Sequence, residues 1–137
     1  MSCVLRAGGR EFDVDGFVAS SALLADSFWR RGEFRSPHSS HGRVNASSGL
    51  RVVVSDAAFS EFPRQVEDVS VFLSRHWGAI HSLVGYPGVE DVELDFGVET
   101  SPPSWCSFRF PPELLRLAGD AGVTIVLSAY PREADEG

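Results

Sequence analysis

Between residues 26 and 43 the sequence reads DSFWRRGEFRSPHSSHGR, which gathers a Trp, several Arg, two His and a run of hydroxyls into one short stretch. Trp29, Arg30, Arg31 and Glu33 are types that suit recognition, because Trp and Arg are the side chains most enriched where binding energy concentrates. The same residues also suit a strand-edge segment in which Trp29 packs and Gly32 supplies a bend or bulge. Glu33 would then pair with an Arg, a surface contact of about 0–1 kcal/mol. His38 and His41 could ligate a metal, but zinc usually takes three or four protein ligands, and neither Asp26 nor Glu33 completes a set by spacing. They read as solvated loop histidines, and no metal or cofactor is expected.

His76 and His81 flank Trp77, and five residues is about 140° around an ideal helix, so the two imidazoles do not share a face. No HExxH is present, no GxSxG elbow surrounds any serine, and neither Cys stands beside a His. The glycines of AGGREF match neither phosphate-binding fingerprint. No catalytic set is therefore assigned. Glu93, Asp95 and Glu99 are the remaining feature: alternation places all three carboxylates on one face of a strand, about 7 to 20 Å apart. That is too spread for a compact catalytic dyad. Such charges either keep a strand from pairing with other chains or steer a basic partner.

Composition narrows the partners. The net charge is -7, which argues against nucleic acid, since phosphate binding calls for clustered positive charge. All 12 basic residues are Arg, most simply the bias of a G+C-rich coding sequence. Cys3 and Cys106 read as reduced, mostly buried thiols, with a bridge between them left open. No stretch approaches the roughly 18 apolar residues of a membrane span, and the start has no signal-peptide h-region, so a cytoplasmic protein without a membrane partner is expected.

The elements that must position these residues follow from pattern. SCVLRA, closed by Gly8 and Gly9, suits a first strand, and Asp13 or Asp15 can cap a helix carrying Val14, Phe17, Val18 and Ala22. Residues 36 to 49 read as a loop, and LRVVVSD as a strand. Ser60 can cap one long helix whose apolar stripe runs through Phe62, Val66, Val69, Leu73, Trp77, Ile80 and Val84 to a stop at Gly85. VEDVELDFGVE alternates as a strand, with Val92, Leu94, Phe96 and Val98 on the core side. PPELLRLAGDAG is a short helix closed by Gly122. VTIVLSAY, largely apolar on both faces, is expected in the centre of the sheet.

The order predicts an α+β two-layer sandwich: one mostly antiparallel sheet of four to six strands, with two main helices and one short helix packed on one face. Residues 1–130 form a single domain and 131–137 a frayed tail.

The phrases LRAGGREFDVDGFVASSALLADSFWRRGE and FPPELLRLAGDAGVTIVLSAYP resemble the opening and the close of a family of small bacterial proteins catalogued only as a domain of unknown function. Together they cover about a third of the chain. The resemblance implies a small cytoplasmic bacterial α+β domain, and some relatives look like partners in toxin–immunity gene neighbourhoods. The expected function is a non-enzymatic macromolecule-binding module, in its most concrete form an immunity-type protein that caps a basic partner. It would use Glu93, Asp95 and Glu99, with Trp29, Arg30, Arg31 and Glu33. The alternative is a small-molecule binder or unrecognised enzyme, with a pocket between sheet and long helix and Arg30, Arg31 or His76 on its wall. Self-association through an exposed strand is compatible with either.

Overall fold

The computed structural model describes residues 2–35, 42–100 and 105–132. In chain order its elements are β1 (Cys3–Gly9), α1 (Val14–Ser20), β2 (Ser27–Trp29), β3 (Ser48–Ser55), α2 (Phe62–Arg75), α3 (Trp77–Val84), β4 (Asp91–Thr100), α4 (Pro112–Ala121) and β5 (Thr124–Pro131). The five strands form one sheet in the order β2-β3-β1-β4-β5. Neighbours run antiparallel except β4 and β5, which are parallel because α4 carries the chain back between them. The expected α+β sandwich with a mostly antiparallel sheet is the observed architecture.

Period-two alternation turns Cys3, Leu5 and Ala7 of β1 and Val92, Leu94, Phe96 and Val98 of β4 toward the helices. There they join Phe17 of α1, Val69 and Leu73 of α2, Ile80 and Leu83 of α3 and Leu114 of α4 in one core. Phe96 is the centre of an aromatic group, edge-on to Phe62 at 5.7 Å and to Phe110 at 5.3 Å. Gln65 is fully buried among these groups and donates from Nε2 to the Gly97 carbonyl at 2.8 Å, which ties the first turn of α2 to β4.

Several sequence expectations are corrected. The long helix is two helices: His76 leaves helical geometry (φ -110°, ψ 23°), closing α2 and opening α3. The hydrogen-bond ladder bridges the break, with His76 N–H to the Phe72 carbonyl and Ile80 N–H to the His76 carbonyl, both 2.9 Å. The apolar spacing therefore continues through the bend and gives no sign of it. Ser60 is not the cap, since Glu61 occupies that position and makes no side-chain cap bond. In α1 the cap is Asp13, which accepts from Gly16 N–H at 3.1 Å. The last strand is at the edge of the sheet, not its centre, because α4 returns the chain to the outer side of β4. It extends through Pro131, one residue into the expected tail. Cys3 and Cys106 are both free thiols, the first buried and the second exposed. Burial, with Asp95 and Asp68 nearby, pushes the Cys3 thiol up from its ordinary value.

Candidate interaction face

The alternation that buries one side of each strand assigns the residues of the other side. Val4 and Arg6 of β1, with Ser2 just before it, Gly49, Arg51 and Val53 of β3, Glu93, Asp95, Gly97 and Glu99 of β4, and Val126, Ser128 and Tyr130 of β5 share the face away from the core. Among the described residues no helix covers it, since all four helices contribute to the core on the opposite side.

At its middle, Arg6 Nη1 donates to Asp95 Oδ2 at 2.8 Å and lies 3.6 Å from Glu93 Oε1. Ser128 Oγ donates to the other Asp95 oxygen at 2.6 Å. The Asp95 side chain is only 10% exposed against 41% for Arg6, so the carboxylate is the buried member of the pair and depends on its donors. Toward one end the Phe59 ring lies over Gly97, where a β-carbon would come within 2.9 Å of Cε1, and stacks on Tyr130 with centroids 5.6 Å apart. Toward the other end Trp29 lies against Gly49, whose lack of a side chain makes room for the indole. Two hollows meet at Arg6. One of about 510 Å³ is bounded by Trp29, Arg35, Asn45 and Ser47. The other, about 170 Å³, is bounded by Arg51, Asp95, Phe59 and Tyr130.

Arg6→Ala should lower stability by about 1–3 kcal/mol in urea titrations, because the largely buried Asp95 carboxylate keeps only the Ser128 side-chain donor. Adding Asp95→Ala should return part of that loss, because the orphaned carboxylate is then gone too. A double variant no more stable than Arg6→Ala would contradict this picture of the pair.

The structure separates the residues first suspected. Trp29 is half-buried on the short edge strand β2 and belongs to the groove. Arg30 does not: it makes a two-point contact with Asp15 at 2.7 and 2.8 Å, reaches Glu33 at 3.5 Å and lies 5.3 Å over the Phe28 ring. The Arg30 guanidinium holds the Asp15 carboxyl below its ordinary range. What this exposed pair contributes is present at neutral pH and is lost as pH falls through that lowered value. Arg31 pairs with Glu11 at 3.1 Å, while its backbone N–H donates to Ser48 Oγ at 2.8 Å. The basic residues of FWRRGE thus fasten β2 to neighbouring segments, and Gly32 supplies the turn with φ 87°.

Of the three carboxylates, Glu99 is exposed, Glu93 is half-buried beside Arg6, and Asp95 is buried. The face is therefore not a free acidic strip. Alternation along β4 shows the carboxylates but not Arg6, which lies 89 residues away in the chain. The available signal was a lone charge in the apolar strand SCVLRA, in phase with Val4 and out of phase with Leu5. Phe59, Arg51, Ser128 and Tyr130 were likewise not singled out.

His38 and His41 lie outside the described residues. Among the described residues no group of three or more His, Cys, Asp or Glu could hold a metal. Arg30, Arg31 and His76 line neither hollow on the sheet face. The space between sheet and helices that a small-molecule pocket would need is filled by Leu5, Leu94, Phe96, Val69, Leu73 and Ile80, all fully buried. A groove of about 480 Å³ lies instead at the first turn of α2, walled by Phe62, Pro63, Val66, Phe108 and Pro111. No helix among the described residues is long and apolar enough to cross a membrane. Compared with known proteins, the chain matches no family model, no curated protein and no solved structure.

Proposed function

We propose that this chain is a non-enzymatic binding module that holds a protein partner on the uncovered face of its sheet. One observation carries the reading: Trp29, Arg6, Arg51 and Tyr130 line adjoining hollows on a single face. Trp, Tyr and Arg are the types that dominate interface energetics. The central charge is already matched, since Arg6 and Asp95 satisfy each other. A partner can cover them without leaving a buried ion unpaired.

The resemblance at both ends of the chain supports a more specific form, an immunity-type cytoplasmic protein that caps a basic partner. The net charge of -7 favours such a partner at long range. Glu93 and Asp95 then act through Arg6, and Glu99 is the carboxylate left to meet the partner directly.

The test begins with capture from the lysate of the source organism, followed by titration of the captured protein against variants. Trp29→Ala and Tyr130→Ala should each cost about 2 kcal/mol of binding, about 30-fold in Kd. Affinity unchanged in both variants would remove the uncovered face from consideration. Affinity that falls as salt rises is expected of a basic partner; salt-independent binding would keep the face and discard the basic partner.

A further inference from the structure

The sheet has two edges, and they are protected very differently. At one edge stands β2, three residues long, followed at once by Arg30, Arg31, the Gly32 turn and Glu33. Short length, charge and a turn are the devices that keep an edge from recruiting another chain. At the other edge stands β5, eight residues long, and from Gly122 to Pro131 the sequence GVTIVLSAYP carries no charge. Among the described residues no strand pairs with its outer side.

The direction of its backbone groups follows from one bond. Arg132 N–H donates to the Thr100 carbonyl at 2.8 Å, so residue 132 turns its backbone groups toward β4. By alternation the even-numbered residues of β5 do the same. Ile125, Leu127 and Ala129 then turn both N–H and C=O outward. Pro131, which has no N–H, falls at an outward position, where a strand tolerates proline. The side chains of the same odd-numbered residues lie on the helix side of the sheet, because Ile125 and Leu127 register with Leu94 and Phe96. Leu127 is nevertheless 40% exposed at the rim.

We propose that this edge pairs with a second copy of the chain, the two β5 strands running antiparallel about a two-fold axis at Leu127. The inference goes beyond the binding face described above and does not depend on it. In this register Leu127 exchanges both backbone bonds with Leu127 of the other copy, and Ile125 exchanges both with Ala129. Every outward donor from Ile125 to Ala129 meets an acceptor. Side chains facing each other across the seam on the helix side are Leu with Leu and Ile with Ala, and no like charges are opposed. At the ends of the seam Arg132 comes opposite Gly122 of the other copy. That position closes α4 with a glycine, so no like charge faces the arginine across the seam. An isologous contact of this kind closes on itself as a dimer and leaves no β5 edge free to grow a fibre.

The test is the mass of the full chain in solution over a wide range of concentration, by sedimentation equilibrium, for the wild type and Leu127→Lys. A dimer in the wild type, converted to monomer by a charge placed on the axis, is the expected result. A wild-type monomer throughout, or a dimer that Leu127→Lys leaves intact, overturns the proposal. Because Leu127→Lys can fail by unfolding, a second pair of variants is built on Cys106→Ser. Opposed residues of a bonded antiparallel pair have Cα atoms about 5.5 Å apart, within disulfide range, so Leu127→Cys should cross-link on mild oxidation. Ala129→Cys should not, because the two copies of residue 129 are four positions out of register, about 13 Å. Equal cross-linking of both variants, or of neither, also overturns it.

Discussion

Phe96→Ala is expected to lower the unfolding free energy by about 3–5 kcal/mol, the largest loss for any single side chain on β4. Phe96 is fully buried and is the residue against which Phe62 and Phe110 both pack edge-on. Truncation removes the transfer energy of the ring and both aromatic contacts. The cavity cannot close by a small shift, because Leu5 and Leu94 beside it are strand residues held in register with their neighbours. With total stabilities of about 5–15 kcal/mol typical of such domains, the variant should be unfolded in part at moderate temperature. Chemical denaturation checks the figure. A loss under about 1 kcal/mol would mean that this aromatic group is not packed as described.

Gly88→Ala is expected to be nearly as damaging for a different reason. Tyr86, Pro87, Gly88 and Val89 make a turn closed by Val89 N–H to the Tyr86 carbonyl at 3.1 Å, with Gly88 at φ 89°. Pro second and a positive φ third are the requirements of a type II turn. A side chain in that conformation costs about 1–3 kcal/mol by itself. An added β-carbon would also overlap the Glu11 carbonyl and come within 2.7 Å of the Phe12 nitrogen, both backbone groups that cannot swing aside. The turn is the clamp between the β1–α1 connection and the start of β4, where Glu90 N–H donates to the Gly8 carbonyl at 2.9 Å. Gly119→Ala is the control. It lies inside α4 with nothing within 4 Å of the new methyl, so the same substitution should stabilise by about 0.5–1 kcal/mol. Calorimetry of the two variants should move in opposite directions, and equal shifts would refute the clamp.

Much of the fold is legible in the sequence where one local period decides the matter. Strict alternation in β4 identifies both its faces, and the apolar stripe from Phe62 to Val84 marks the helical layer that covers the sheet. What is not legible depends on order across the sheet or on distant partners. The apolar sequence of β5 reads as a central strand, because an edge strand left without charge has the same composition as a buried one. Its position is decided by the α4 crossover, which local pattern does not encode. The break at His76 keeps the apolar spacing and so stays silent. In the candidate site, Trp29 is recoverable from its type and its edge segment. The three carboxylates share one face of β4 as alternation says, but the contacts of Arg6 with Asp95 and Glu93 come from another strand and cannot be read from that pattern. Residues such as Phe59 and Gly97 acquire meaning only when a loop brings an aromatic ring onto a position that has no side chain.

Hydroxyl-radical footprinting of the protein with its captured partner tests the central claim most directly, because it reads aromatic side chains on both sides of the sheet in one experiment. Trp29, Phe59 and Tyr130 report the uncovered face, while Phe28, Phe72 and Trp77 report β2 and the helical layer. If the uncovered face holds the partner, oxidation of the first three should fall on complex formation, with the second three unchanged. Protection confined to Phe72 and Trp77, with Trp29 and Tyr130 still oxidised at the free rate, would place the partner on the helices and contradict the account.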